Sequence, residues 1–536
     1  MGMPSMSQFT VETLLSPTLL FLTFLFFFFL LHPSVQTILT SFKDCRLPPG
    51  STSWTIFGSL LTMLRHKPHF RWILKIAEGK DITCIRLGST HVIVVNSPEL
   101  SREFLKKQDA NFASRPLTMA TEYSGRNFLS VVIAPWGEQW KKMRRVVASE
   151  ILNTSRLHWQ SKLRTEEIDH IVKYIHNQCE KLEEPVINVR LATRYYTGNT
   201  IRRMIFGVRH FGEGGEYGGP GKEELEHVDA AFKVLSFIYA FCASDFMPWL
   251  RWLDIDGHER NMKEAIRVIN KYHDPIIEER MQKWRGEKEK EVKGAKREVE
   301  DLLDVFISLK DNKGRPLLTM EEVKAQCQEL VFATVDNPSN IAEWSLAELL
   351  NRPEILQKAM EELDRVVGKD RLLQESDLPQ LPYLRACARE GLRLHPVAPF
   401  NLPHVALADA TVANYFIPKG SQVLLNRVGL GRNEKVWDDA PRFNPDRHLK
   451  NGSTDVGLAE PDLLFISFGT GRRGCMGGSL GSVMTYMLLG RLLQAFDWSL
   501  APGELGVDLS EDNRSLFMAR PFHACAKPRL SFLANL

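Results

Sequence analysis

Apolar positions gather first in one block. Leu14 to Leu31, LLSPTLLFLTFLFFFFLL, carries no charge and is about as long as a bilayer-spanning helix. No Lys or Arg precedes it, whereas Lys43 and Arg46 follow. The expectation is therefore a single transmembrane anchor over 14–31, with residues 1–13 luminal and the body cytosolic, rather than a cleaved signal peptide. A linker over 32–54 ends in a stiff proline-rich hinge, RLPPGSTSW. One long domain, 55–536, follows. Asp81 to Pro98 alternates and is rich in β-branched residues, which predicts a two-stranded hairpin. Helical spacing dominates from about Ser101 to Leu394, interrupted by a glycine-rich loop at Gly212–Gly221. The charged run RGEKEKEVKGAKREVE reads as a solvated surface helix. Short strands return near Thr411 to Val423, and Gly478 to Phe496 is helical. The pattern is mainly α with a small β region.

One helix breaks its own rule. Thr319 to Glu322 is a capping box, and apolar positions recur through Val323, Leu330, Val331, Ile341, Trp344 and Leu349 until Pro353. Midway stands FATVDNPSNIAEW, residues 332–344. Proline in a helix interior costs about 3 kcal/mol, so Pro338 predicts a kink, and a kink in so apolar a helix predicts a pocket beside it.

Composition changes the picture little. The 536 residues are 44% hydrophobic and 25% charged with a net charge of +3, too near neutral to suggest a nucleic-acid partner. Eight scattered cysteines without a CxxC pair do not form a disulfide framework and suit a reducing compartment.

The chemistry concentrates at FGTGRRGCMG, Phe468 to Gly477. A helix start after Cys475 aims N–H groups at its sulfur and favours a thiolate. A thiolate in a glycine-rich loop suits the proximal face of a haem, because a flat macrocycle needs close approach to the backbone. The competing reading of an isolated cysteine is a buried structural one.

Phe468, Gly471, Arg473, Cys475 and Gly477 match F-x-x-G-x-R-x-C-x-G, which resembles the haem-thiolate loop of the cytochrome P-450 superfamily. Weaker matches fall in the order which that resemblance requires. EGLR, Glu390 to Arg393, and PRFNPDRH with Arg447 resemble the segments that form a buried Glu390–Arg393–Arg447 network; Asp446 stands where the family usually has Glu. WKKMR places Trp140 and Arg144 on one helix face, where the resemblance implies haem-propionate contacts. It also implies a cytochrome P-450 fold, haem b ligated by Cys475, haem contacts from Phe468 and Arg473, and an endoplasmic reticulum location. No G-x-G-x-x-G fingerprint follows a strand here, so electrons are expected from NADPH-cytochrome P-450 reductase.

In most superfamily members the broken helix carries an acid–threonine pair. Asp336 matches the acid, and Asn337 stands where the threonine is usual. DNPSN, HPVAPFNLPHVA and SFGTGRRGC together resemble the plant amino-acid N-monooxygenases, which make aldoximes in specialised metabolism. That resemblance implies two N-hydroxylations of an aromatic or long aliphatic amino acid and a catalytic part for Asp336 and Asn337. A substrate carboxylate would need a cation in an apolar pocket. Arg126 is the first candidate and His404 the second, with Phe332, Val335, Phe400 and Phe517 as side-chain walls. Three alternatives share parts of the pattern: a carbon hydroxylase of another plant pathway, an electron-independent isomerase, and a non-catalytic membrane haem protein.

Overall fold

The computed structural model describes residues 21–24, 46–51, 57–288, 298–449 and 456–535. Of the expected anchor only residues 21–24 fall within that set, and they are helical; the rest of 14–31, the luminal segment and most of the linker lie outside the described residues. Among the described residues no helix is long and apolar enough to cross a membrane.

The expected hairpin forms as β1 (Ile82–Leu87) and β2 (Thr90–Val95), with Ile82 opposite Val95. The hinge adds to its edge: the Cys84 N–H donates to the Pro49 carbonyl (3.0 Å) and the Arg86 N–H to Ser51 (3.1 Å). Nine strands follow chain order: β3 (Val186–Asn188), β4 (His404–Val405), β5 (Ala410–Val412), β6 (Tyr415–Ile417), β7 (Gln422–Leu425), β8 (Phe496–Leu500) and β9 (His523–Pro528) complete the set among the described residues. The larger sheet runs β1-β2-β7-β4, with β7 parallel to β2; a second runs β3-β9-β8, and β5 pairs with β6.

The remainder is helical. The helices that position the site are α1 (Glu138–Val146), α2 (Val189–Phe206), α3 (Lys222–Ile238), α4 (His258–Lys288), α5 (Met320–Val335), α6 (Asn337–Leu350), α7 (Pro382–Leu394) and α8 (Gly478–Ala495). The start of α5 obeys its predicted capping box: Thr319 Oγ1 accepts the Glu322 N–H (3.2 Å), and a Glu322 carboxylate oxygen accepts the Thr319 N–H (2.9 Å). In α6 every residue from Pro338 to Leu350 is buried, as befits a helix packed on all sides by α2, α7 and α8. The charged run begins as the end of α4, and residues 289–297 of it lie outside the described set.

Candidate functional site

The break predicted at Pro338 is real. One helix ends at Val335, the next begins at Asn337, and Asp336 between them has φ −90° and ψ −56°. Side chains take over the disturbed carbonyls. Asn337 Nδ2 donates to the Ala333 carbonyl (3.1 Å), and the Ser339 and Thr197 hydroxyls both donate to the Val335 carbonyl (2.8 Å each). The kink is thus built by Asn337, Ser339 and Thr197 as much as by proline.

A cavity of about 300 Å³ opens beside the kink, lined by Phe332, Ala333, Thr334, Asp336, Asn337 and Pro338. Ala333 is exposed to it although α5 around it is buried. Asp336 is buried, and its Oδ1 has no hydrogen-bond partner. Burial raises its pKa to about 7, against the opposing pull of Arg194 and Arg427.

Cys475 lines the same cavity. Among the described cysteines it alone has an exposed side chain. The exposure is to the cavity, because the sulfur itself is closely surrounded by protein. Burial pushes the thiol up, while the Gly477 backbone, Arg144 and Arg427 pull the other way. The helix start therefore moderates but does not overcome desolvation, and a metal ion is what would complete the thiolate. The loop owes its shape to glycine where space is short. Gly471 sits at φ +70°, and a Cβ there would lie 2.5 Å from the Leu105 carbonyl oxygen. Gly477 and Gly481 line the cavity without side chains, and Phe468 packs against Gly478 and Gly481.

Cations gather on another wall. Trp140 is buried on α1, and the Arg473 guanidinium lies 4.7 Å from its ring centre. Arg473 also donates to the Ala113 (2.6 Å) and Ala134 (2.7 Å) carbonyls, and Arg144 donates to Gly474 (2.8 Å). Burial lowers the Arg473 pKa to about 9, with Arg115 and Arg144 adding to the effect. Arg115, which no sequence motif singled out, belongs to this group and donates to the Leu402 (2.7 Å) and Pro403 (2.9 Å) carbonyls. His404 joins it, held by the Phe112 carbonyl (2.8 Å) with burial and then Arg115 driving its pKa well down. An exposed sulfur, a glycine floor and a cationic wall are what a haem with its two propionates requires, so these residues fit the expected group.

The expected network is present. Glu390 and Arg393 on α7 are both fully buried and pair bidentately (2.7 and 2.8 Å). Arg447 Nε donates to Glu390 (2.9 Å), and His448, unforeseen from the sequence, approaches its other oxygen (2.8 Å). Burial opposes the charged carboxylate, yet Arg393 and His448 hold its pKa down at about 2.

Four expected substrate contacts fall elsewhere. Arg126 does not line the cavity: its guanidinium pairs with Asp274 and Glu321 and donates to Asn270 (2.7 Å). Val335 is buried on the opposite side of the helix from Ala333, where successive positions turn by about 100°. Phe517 packs edge-on against Phe232 at 5.8 Å. Phe400 lines a smaller neighbouring hollow that shares Arg115, Ile238 and Tyr239 with the main cavity. Phe332 and His404 do line it.

The sequence pattern of the family described as Cytochrome P450 matches residues 48–526. The chain is 54% identical to a tryptophan N-monooxygenase of Prunus mume, over 96% of each chain. It is 54% identical to a tyrosine N-monooxygenase of Sorghum bicolor, covering 90% of this chain and 86% of that one. A valine N-monooxygenase of Manihot esculenta is 50% identical, covering 91% and 89%. A zebra fish cytochrome P450 solved with progesterone superposes with a TM-score of 0.66 at 24% identity, over 86% of this chain and all of that one.

Proposed function

The chain belongs to the cytochrome P450 family, and from that premise we propose that it N-hydroxylates a protein amino acid twice and releases the aldoxime. Balanced, the reaction consumes two O2 and two NADPH per amino acid, and the N,N-dihydroxy product loses water and CO2. The observation that carries this reading is Asp336-Asn337-Pro338 on the cavity that Cys475 also lines. The names of the relatives, which act on tryptophan, tyrosine and valine, support it.

Bound haem supplies reductive activation of dioxygen. The chain's residues supply the setting. Asp336, with a free oxygen and a pKa of about 7, can hold or give a proton at neutral pH. Asn337 spends one amide hydrogen on Ala333 and keeps the second N–H and its oxygen, neither of which gives up a proton readily, whereas a threonine hydroxyl would offer a transferable hydrogen bond. Leu235, Ile238, Leu330 and Phe332 keep the cavity apolar, and desolvation favours the neutral amine that oxidation needs. Membranes with NADPH and NADPH-cytochrome P-450 reductase, offered each protein amino acid, are expected to yield an oxime from an aromatic or long aliphatic one. Oxime from none of them would remove the reading.

Asn337→Thr is expected to lower oxime formed per NADPH by about fivefold, the kinetic equivalent of one hydrogen bond of about 1 kcal/mol. Peroxide release should rise while haem content holds, since Pro338 and Ser339 still shape the kink. Unchanged coupling would show that asparagine is a neutral replacement.

We further propose a single-pass endoplasmic reticulum anchor at 14–31 with a cytosolic catalytic domain, supported by its uncharged run and the basic residues after it. Asn153, Asn451 and Asn513 each open an Asn-x-Ser/Thr triplet, and glycan on any of them would contradict that orientation.

A further inference from the structure

An amino-acid pocket needs a cation for the substrate carboxylate, and Arg126 is engaged by Asp274 and Glu321 instead. The cavity contains another arginine in a different state. Arg427 follows β7, where the Asn426 side chain accepts the Gly429 N–H (2.9 Å) and starts a short helical turn. It is buried and lines the cavity. Its Nε donates to the Ile466 carbonyl (2.8 Å) and its Nη2 to the Ser467 carbonyl (3.0 Å). Those two donors form one fork of the guanidinium. Among the described residues the end fork, Nη1 with the second hydrogen of Nη2, has no hydrogen-bond partner, and Arg427 forms no ion pair. A buried guanidinium without a counter-ion is costly, and two backbone carbonyls offset only part of that cost.

The other cavity cations are differently placed. Arg115, Arg144, Arg473 and His404 cluster around Trp140 and influence one another, as suits a wall for haem propionates. The charged and polar groups facing Arg427 are Tyr239 at the end of α3, Asp336 at the kink, and Cys475; Tyr239 also faces Arg115 and Cys475 also faces Arg144, so Asp336 is what sets Arg427 apart. Arg427 therefore sits where the distal acid and the sulfur both come within range.

We infer that Arg427 binds the carboxylate of the amino-acid substrate through its free end fork, and so fixes the neighbouring amine within the cavity that Asp336 and Asn337 line. A planar, end-on guanidinium holds a carboxylate bidentately. This assignment rests on the amino-acid reading above.

The test compares holoenzyme of the wild type, Arg427→Met and Arg427→Lys. Each is titrated with the amino acid that the wild type oxidises and with the amine made by decarboxylating it, following the haem absorbance change. Arg427→Met should weaken amino-acid binding by about tenfold or more, the loss of a charge-assisted pair, and leave the amine within about twofold. Arg427→Lys, a point charge without the fork, should fall between. Equal weakening for both ligands, or no weakening of the amino acid, would overturn the assignment. So would loss of haem from both variants, which would make Arg427 a haem contact. Failure of the wild type to bind any amino acid would remove the amino-acid reading and this assignment with it, an outcome the wild-type titration shows by itself.

Discussion

Cys475→Ala is expected to abolish the reduced-CO absorbance band of a haem thiolate and to reduce turnover below detection. The sulfur projects into a cavity and packs against little, so the apoprotein should lose no more than about 1 kcal/mol, as for a change outside the packed core. Holoprotein stability should fall further, because a tightly bound group stabilises only the state that binds it. Cys327→Ala and Cys387→Ala are the controls. Both thiols are fully buried and neither lines the cavity, so both variants should keep the band. A normal band in Cys475→Ala would show that another residue holds the iron.

Glu390→Gln is expected to destabilise the fold strongly although it lies outside the cavity. It removes the one carboxylate that faces Arg393, Arg447 and His448 and leaves the Arg393 charge buried at zero exposure. Breaking one side of a buried pair costs about 3–5 kcal/mol. Its pH dependence follows from a folded pKa held down at about 2. The stabilisation is full above the unfolded carboxylate value and is lost as pH falls toward 2. Chemical denaturation at neutral pH reads the loss directly. A variant within about 1 kcal/mol of the wild type would show that the network adds little.

Much of this was legible in the sequence because it is local. The capping box at Thr319, the hairpin at Ile82 and the kink at Pro338 each depend on a few consecutive residues, and each formed where expected. The cysteine loop and the Glu390 network were legible through motifs whose order along the chain matches a known family. The substrate wall was not, because it joins residues from α3, the kink, the turn after β7 and the loop before α8. Val335 was avoidable: Ala333 and Asn337, four apart, share a helix face, and Val335 two residues from either lies behind it. Arg126 could not be excluded without Asp274 and Glu321, which lie far off in sequence. Nothing local marks Arg427, since its burial and its free fork depend on the carbonyls of Ile466 and Ser467.

The central claim is that the cavity delivers oxygen to nitrogen. Turnover of the preferred amino acid, labelled with 15N, under 18O2 tests it in one mass spectrum of the product. The account predicts an aldoxime that retains 15N, carries one 18O on that nitrogen, and lacks the substrate's carboxyl carbon. A product with 18O on carbon and an intact amino acid backbone would contradict it.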